Sequence, residues 1–383
     1  MSVATMSLHK NHRNLLKDAK NVVIKVGSAV LSGPQGLDPA IIRSLSEQIS
    51  TLKKREMKVT LVSSGAVAAG IGRLGKHGEP RTVPEKQALA AVGQGGLIRS
   101  WEEAFDRFGV KVAQVLLTRE GLIPRHRFLN ARNTLNTLLE WDLVPIVNEN
   151  DTVATEELQF TDNDALSALI VHLVEADLLI CLSDVDGLYD SDPRKNPDAR
   201  RISMVAQVDD AIFQAAGSSP GRAGRGGMRS KLETARMVTL YGIPMVVAGG
   251  RVPNVITRLF DGEDLGTMFM PGLKRKIRGK KPWIAFTLRR EGVLEIDEGA
   301  CRALLEHGKS LLPAGLRKVY GDFDAGACVV CRSPKGKEIA VGITNYGSEE
   351  LSRIIGCQSG EICKKVDFHG EEVIHRDYMV VFH

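Results

Sequence analysis

Short runs of β-branched and aliphatic residues recur through the first 271 residues, and longer segments with the three-to-four-residue apolar spacing of helices separate most of them. The strand-like runs cover residues 22–30, 59–63, 110–117, 143–147, 178–182 and 244–247, and the helical segments cover 39–54, 85–108, 128–141, 165–174 and 231–241. A strand that is apolar at consecutive positions must be covered on both faces. The alternation therefore predicts crossover units around a mainly parallel sheet sandwiched by helices, an α/β architecture.

That pattern stops at Pro271-Gly272, and Pro282 follows a run, Lys274 to Lys281, in which six of eight residues are cationic. Breakers on both sides of a charged run mark a linker. The expected organisation is an N-terminal extension over 1–20, the α/β domain over 21–271, a basic linker over 272–281 and a small, mostly-β domain over 282–383. A chain of 383 residues is long enough for two or three such domains.

Charge and composition remove other classes. The net charge of +5 suggests nucleic acid until it is located: residues 282–383 carry 13 basic against 15 acidic groups, and the surplus lies in the linker. Strong RNA binding rests on basic contacts, so the second domain is a poor candidate for phosphate tracking, and the linker alone keeps RNA open. No apolar run approaches the roughly 18 residues of a membrane span, and the first 20 residues lack a secretory apolar core, which points to the cytoplasm. Six cysteines at irregular spacings form no disulfide framework.

In open sheets of this kind, ligands bind where strands end and loops begin. Polar or glycine-rich loops follow nearly every strand: Lys25-Val26-Gly27-Ser28, Ser63-Ser64-Gly65-Ala66, Asn148-Glu149-Asn150-Asp151 and Ser183-Asp184. A further loop, from Gly221 through Gly226-Gly227-Met228 to Ser230-Lys231, leads into a helix, where glycine amides and the helix start suit an anion such as phosphate. Thr161-Asp162-Asn163-Asp164 opens another helix; one of these residues suffices as an N-cap, and three in succession also suit ligand or Mg²⁺ contact.

Three motifs match by letters alone. Gly70-Ile-Gly72-Arg-Leu-Gly75 lies too far from the preceding strand for a dinucleotide fingerprint. Gly308-Lys309-Ser310 lacks the first glycine of a P-loop, and Cys328-Val-Val-Cys331 sits in an apolar run that reads as a buried strand rather than a zinc site.

What remains suits phosphoryl transfer, in which the protein mainly positions reactants and neutralises charge. Lys25 interrupts an apolar strand, where a buried ammonium is costly unless an anion lies beside it. With Lys231 at the glycine-loop helix, it forms an expected charge clamp across the carboxyl edge of the sheet.

Val23-Ile24-Lys25-Val26-Gly27-Ser28, Val62-Ser63-Ser64-Gly65-Ala66, the segment Phe128 to Thr134 (FLNARNT), Val147-Asn148-Glu149-Asn150-Asp151, Asp162-Asn163-Asp164 and Gly226-Gly227-Met228-x-x-Lys231 resemble, in order and spacing, the amino acid kinase superfamily. Asp297-Glu298-Gly299-Ala300 and Ser310 to Gly315 resemble the PUA domain that follows the kinase domain in the members acting on L-glutamate. The resemblance implies transfer of the ATP γ-phosphate to the glutamate side-chain carboxylate, giving L-glutamyl 5-phosphate at the first step of proline synthesis. It implies Mg²⁺ as the accompanying ion, proline as feedback inhibitor, a reductase that takes the acyl phosphate and a homo-oligomer. Sister kinases acting on N-acetylglutamate, aspartate or a nucleoside monophosphate are the nearest alternatives.

By the same resemblance Lys25, Lys231, Asp162 and Asp164 are catalytic, with Asp164 orienting the two lysines. Ser183, Asp184, Arg225, Gly226, Gly227, Met228, Arg229 and Ser230, together with both lysines, hold ATP. Ser64, Asn148, Asp151, Asp162 and Asn163 line the acceptor site. Ser63, Ser183 and Arg225 stand where the family commonly has threonine, and about 14 extra residues precede the first strand.

Overall fold

The computed structural model describes the chain except residues 1–12, 76–79, 81, 123–124, 155–162, 194–195, 210–211, 214–226, 241, 272–289, 359–360, 363–364, 368–369 and 383. The chain divides into two compact units, residues 1–276 and 277–383. Residues 272–281, expected as the basic linker, lie outside the described residues.

Among the described residues, the first unit holds ten strands: β1 (Asn21–Val26), β2 (Ser32–Gly33), β3 (Gly36–Leu37), β4 (Lys58–Ser63), β5 (Val112–Leu117), β6 (Val144–Glu149), β7 (Leu178–Ser183), β8 (Met204–Val205), β9 (Met245–Gly249) and β10 (Thr267–Phe269). Eight of them form one sheet in the order β5-β6-β4-β1-β7-β9-β10-β8, and β2 and β3 form a separate hairpin. Every pairing in the large sheet is parallel except β10 with β9.

Side chains alternate across a strand, so the two faces of β1 have different fates. Val22, Ile24 and Val26 join a buried core with Ile42, Leu45 and Ile49 of helix Pro39–Lys54 and with Leu97, Trp101 and Phe105 of helix Val83–Asp106. The other face, which carries Lys25, is covered by helix Asn163–Leu173. Burial of aliphatic side chains on both faces is what the consecutive apolar runs require.

The first strand ends sooner than the run 22–30 predicts. The Gly27 amide leaves the strand to donate to Leu182 O, and the amides of Val30 and Leu31 donate back to Gly27 O, so Ser28–Leu31 closes a helical turn. Helix Ala66–Leu74 is not among the segments the sequence predicts as helical: it is nine residues long and carries two internal glycines, which are poor helix formers. It contains the letter-match Gly70 to Gly75, and Gly70 permits close packing there: a Cβ on it would lie 2.0 Å from Leu89 O. Gly93 on the facing helix is equally constrained, 1.9 Å from Ala66 O. That facing helix starts at a capping box, in which Thr82 Oγ1 accepts from the Glu85 amide and Glu85 Oε2 accepts from the Thr82 amide.

Part of the expected N-terminal extension belongs structurally to this unit. Residues 13–18 are helical, Leu16 is fully buried, and the Arg13 guanidinium donates to Asp264 Oδ1 at 2.8 Å and to the carbonyl oxygens of Leu265, Ser203 and Gly266.

The second unit is a mixed five-stranded sheet, β12-β11-β13-β14-β15, made of β11 (Arg290–Ile296), β12 (Leu316–Tyr320), β13 (Cys328–Arg332), β14 (Glu338–Ile343) and β15 (Met379–Val381). Asp297 caps its helix Glu298–His307 by accepting from the Ala300 amide, and Gly308 ends that helix in the left-handed conformation, φ 56°. The Gly-Lys-Ser letters therefore mark a helix terminus. Cys328 and Cys331 lie buried in β13, as the apolar run predicts, and burial pushes each thiol up to about 12.

Candidate active site

The order β6-β4-β1-β7 sets four strand ends side by side at the carboxyl edge, and helix Asn163–Leu173 begins over them. Its first turn holds Asn163 and Asp164, both buried, Asp164 completely. A carboxylate near a helix N-terminus is favoured by the exposed amides and their partial positive charge.

Asp164 takes one lysine on each oxygen. Lys25 Nζ, from β1, lies 2.6 Å from Oδ1, and Lys231 Nζ, from helix Met228–Leu240, lies 3.1 Å from Oδ2. Ser230 Oγ adds a contact to Oδ2 at 3.3 Å. Both lysines are nearly as buried as Asp164, with side chains 3% and 6% exposed. Two ammonium groups share one carboxylate, so within this trio cations outnumber anions in a dry place. Removing charge from water is costly unless it is paired, and such a surplus favours an anionic ligand.

Next to Asp164, Asn163 organises a neutral polar cluster. Its Nδ2 donates to Ser64 Oγ at 2.8 Å, Asn148 Oδ1 at 2.9 Å and Ser63 O at 3.3 Å. Asn148 Nδ2 in turn donates to Gln94 Oε1 at 2.8 Å, and Trp101 Nε1 donates to Ser63 Oγ at 2.9 Å. These bonds hold two strand ends, those of β4 and β6, and two helices in fixed relation. Asp151 stands beyond them, with Lys86 Nζ 3.7 Å from its Oδ1. Burial pushes the Asp151 carboxyl above the ordinary value of 3.8, and Lys86 partly offsets that rise.

At the end of β7, Ser183 Oγ donates to Asp184 Oδ1 at 3.0 Å, and Asp184 is exposed. Gly227 and Met228 lead into the helix that carries Lys231. Arg229 does not join the lysine cluster; it is exposed and pairs with Glu233 at 3.3 Å one turn on. Asp162, Arg225 and Gly226 lie outside the described residues. Of the Phe128 to Thr134 motif, Asn130, Ala131 and Thr134 line a cavity at the end of β5 together with Arg127 and Asn150.

Sequence reasoning missed Gln94, Trp101 and Lys86, all on helix Val83–Asp106. An amphipathic helix contains glutamines and lysines on its wet face, and nothing in local spacing separates these from solvated ones. The capping signal at Thr82 places the helix start, and hence the turn on which Lys86 sits.

Among the described residues, no three His, Cys, Asp or Glu side chains gather as a cage for a metal ion.

Residues 20–249 match the amino acid kinase family, and residues 292–366 match the PUA domain. The chain is 48% identical to the glutamate 5-kinase of Geobacter sulfurreducens, covering 96% of this chain and 99% of that protein. It is 50% identical to the glutamate 5-kinase of Syntrophotalea carbinolica over the same shares of each. Among solved structures, carbamate kinase from Giardia lamblia bound to AMP-PNP shares the fold at 17% identity with a TM-score of 0.50, covering 67% of this chain and all of that one.

Proposed function

From the premise that the chain belongs to the amino acid kinase family and carries a PUA domain after it, we propose that it transfers the ATP γ-phosphate to the side-chain carboxylate of L-glutamate, giving L-glutamyl 5-phosphate, the first step toward proline. The observation that carries phosphoryl transfer is the pair of ammonium groups on buried Asp164. The choice of glutamate rests on relatives that bear that activity in their names across almost the whole chain.

A side-chain carboxylate with an ordinary value near 4.3 is ionised at neutral pH, so the nucleophile needs no general base. One of its oxygens forms a bond to the γ-phosphorus while the bond from that phosphorus to the bridging oxygen breaks, and ADP departs with the electron pair. No proton moves. Two anions must approach, so the barrier is lowered by fixed positive charge at the group in transit. Lys25 and Lys231 supply that charge. Asp164 holds both ammonium groups in place, which spares the reorganisation that free lysines would need. Bound with the nucleotide, Mg²⁺ supplies further neutralisation of the phosphate oxygens.

Ser64, Asn148, Asp151 and Asn163 form the acceptor pocket, with Asp151 taking the α-ammonium, and Asp162 belongs with them. Ser183, Asp184 and the segment Arg225 to Ser230 hold the nucleotide. Residues 21–271 constitute the kinase domain, 1–20 the extension, 272–281 the linker and 282–383 the PUA domain. None of the described helices is long and apolar enough to cross a membrane, which supports a cytoplasmic enzyme. Inhibition by proline, homo-oligomerisation and delivery of the labile acyl phosphate to a reductase complete the proposal.

The test is direct. Purified protein with ATP, Mg²⁺ and L-glutamate should release ADP, and hydroxylamine should trap a γ-glutamyl hydroxamate. Activity with N-acetylglutamate or aspartate in place of glutamate would move the assignment to a sister kinase.

A further inference from the structure

We propose that Lys86 reads the α-carboxylate of the acceptor, making it a specificity-determining residue for the reaction; the inference rests on the glutamate-kinase reading above.

Glutamate presents three charges. Its γ-carboxylate must face the phosphoryl lysines, and its α-ammonium finds Asp151. Its α-carboxylate, attached to the same carbon as the ammonium, then has to lie within a few ångströms of Asp151, where it would meet like charge. The hydrogen-bonded set around the pocket, Ser64, Asn148, Asn163 and Gln94, is neutral. Lys86 is a cation at the required place, 3.7 Å from Asp151 Oδ1.

The pairing is loose, whereas Lys25 approaches Asp164 to 2.6 Å. Charge-assisted contacts close to about 2.7–2.9 Å when geometry permits, so the Lys86–Asp151 pair has space between its members. Its burial is uneven in a useful way: the Asp151 side chain is 14% exposed and that of Lys86 37%, so the ammonium is the member free to swing. The backbone beneath it is fixed. Gln87 Nε2 donates to Ala154 O at 3.0 Å and Gln94 bonds Asn148, so the same helix is tied to the acceptor side of the site at the residue after Lys86 and again two turns further on.

Lys86 therefore holds the place at Asp151 that the substrate's ammonium takes. An arriving α-amino acid inserts its zwitterionic head into this pair, its ammonium on Asp151 and its carboxylate on Lys86, and one weak ion pair becomes two. A 4-carbon amino acid lacking the α-carboxylate gains only the first.

The experiment compares kcat/KM for L-glutamate and for 4-aminobutyrate, which keeps the amine and the attacked carboxylate but has no α-carboxylate. Where 4-aminobutyrate turns over too slowly, its Ki as a competitor supplies the ratio. For Lys86→Ala we expect the glutamate value to fall about 10- to 100-fold, the scale of losing a charged hydrogen-bonding partner, mainly through KM. The 4-aminobutyrate value and the KM for ATP should change less than about threefold, and Lys86→Arg should restore most of the glutamate preference. Equal losses on both acceptors, or no loss on glutamate, would overturn the inference, since Lys86 would then act only through Asp151 or not at all. Thermal melting of each variant monitors folding. Wild type is read in the same assay: an inactive wild type removes the underlying kinase reading, whereas active variants with an unchanged ratio remove this inference alone.

Discussion

Lys25 and Lys231, from opposite ends of the first unit, direct their ammonium groups at the two oxygens of a single buried carboxylate, that of Asp164. Burying either ammonium without a carboxylate beside it would be costly, and the carboxylate alone would repel a nucleotide. The positions of the three groups are set by a strand, a helix start and the helix Met228–Leu240.

Replacing one member of that cluster tests its part in catalysis. Lys231→Ala should lower turnover by roughly 10² to 10³, the scale of losing one preorganised charge-stabilising group, with the fold intact by circular dichroism. A rate within a few-fold of wild type in the hydroxamate assay would rule out the clamp.

Asp164→Asn removes the negative charge that the two lysines share. Uncovering buried charge by deleting its partner costs about 3–5 kcal/mol. Urea unfolding should show a loss of that order, and Asp164→Asn combined with Lys231→Gln should recover part of it. Unchanged unfolding midpoints in the single variant would contradict the geometry.

The crossing of helices Ala66–Leu74 and Val83–Asp106 depends on absent side chains. Gly70→Ala and Gly93→Ala each place a methyl about 2 Å from a backbone carbonyl oxygen, which cannot move cheaply. Overpacking of this kind costs about 1–3 kcal/mol. Each variant should melt several degrees lower and bind glutamate less well, because Gln94 and Lys86 ride on the displaced helix.

Asp151 makes acceptor affinity dependent on pH. Its carboxyl is held above 3.8 by burial, and only its ionised form can pair an ammonium. As pH falls through that raised value, the site loses its negative charge and KM for glutamate should rise, giving an acid limb above the ordinary carboxylate range. Because Lys86 works against the rise, Lys86→Ala should move the limb to still higher pH. A limb at or below the value of a free aspartate would show that Asp151 is not the group titrating.

Much of this arrangement could be read from residue order. The central strands were legible because β1, β4, β6 and β7 are buried on both faces and so carry unbroken aliphatic runs. Lys25 stood out for breaking one of those runs. β8 and β10 were not legible: two- and three-residue strands at a sheet margin leave no periodicity to detect. The overrun of β1 arose because Val30 is apolar and buried in a helical turn just as it would be in a strand. Asn163 and Asp164 were legible as a polar surplus at a helix start, whereas Gln94 and Lys86 became visible only once the long helix was seen lying along the acceptor loop.

Arg13 has a bearing on how the chain can be handled. Its guanidinium occupies carbonyl oxygens of Ser203, Leu265 and Gly266 beside the two-residue margin strand β8, and margins of sheets are where foreign strands add. Shortened versions that begin at residue 21 would strip Leu265 O of this donor, leave Ser203 O to the Met268 amide and Gly266 O to Arg201, and lose the greasy anchor of Leu16. Their expected failing is self-association during purification, visible by light scattering before any defect in turnover is measured.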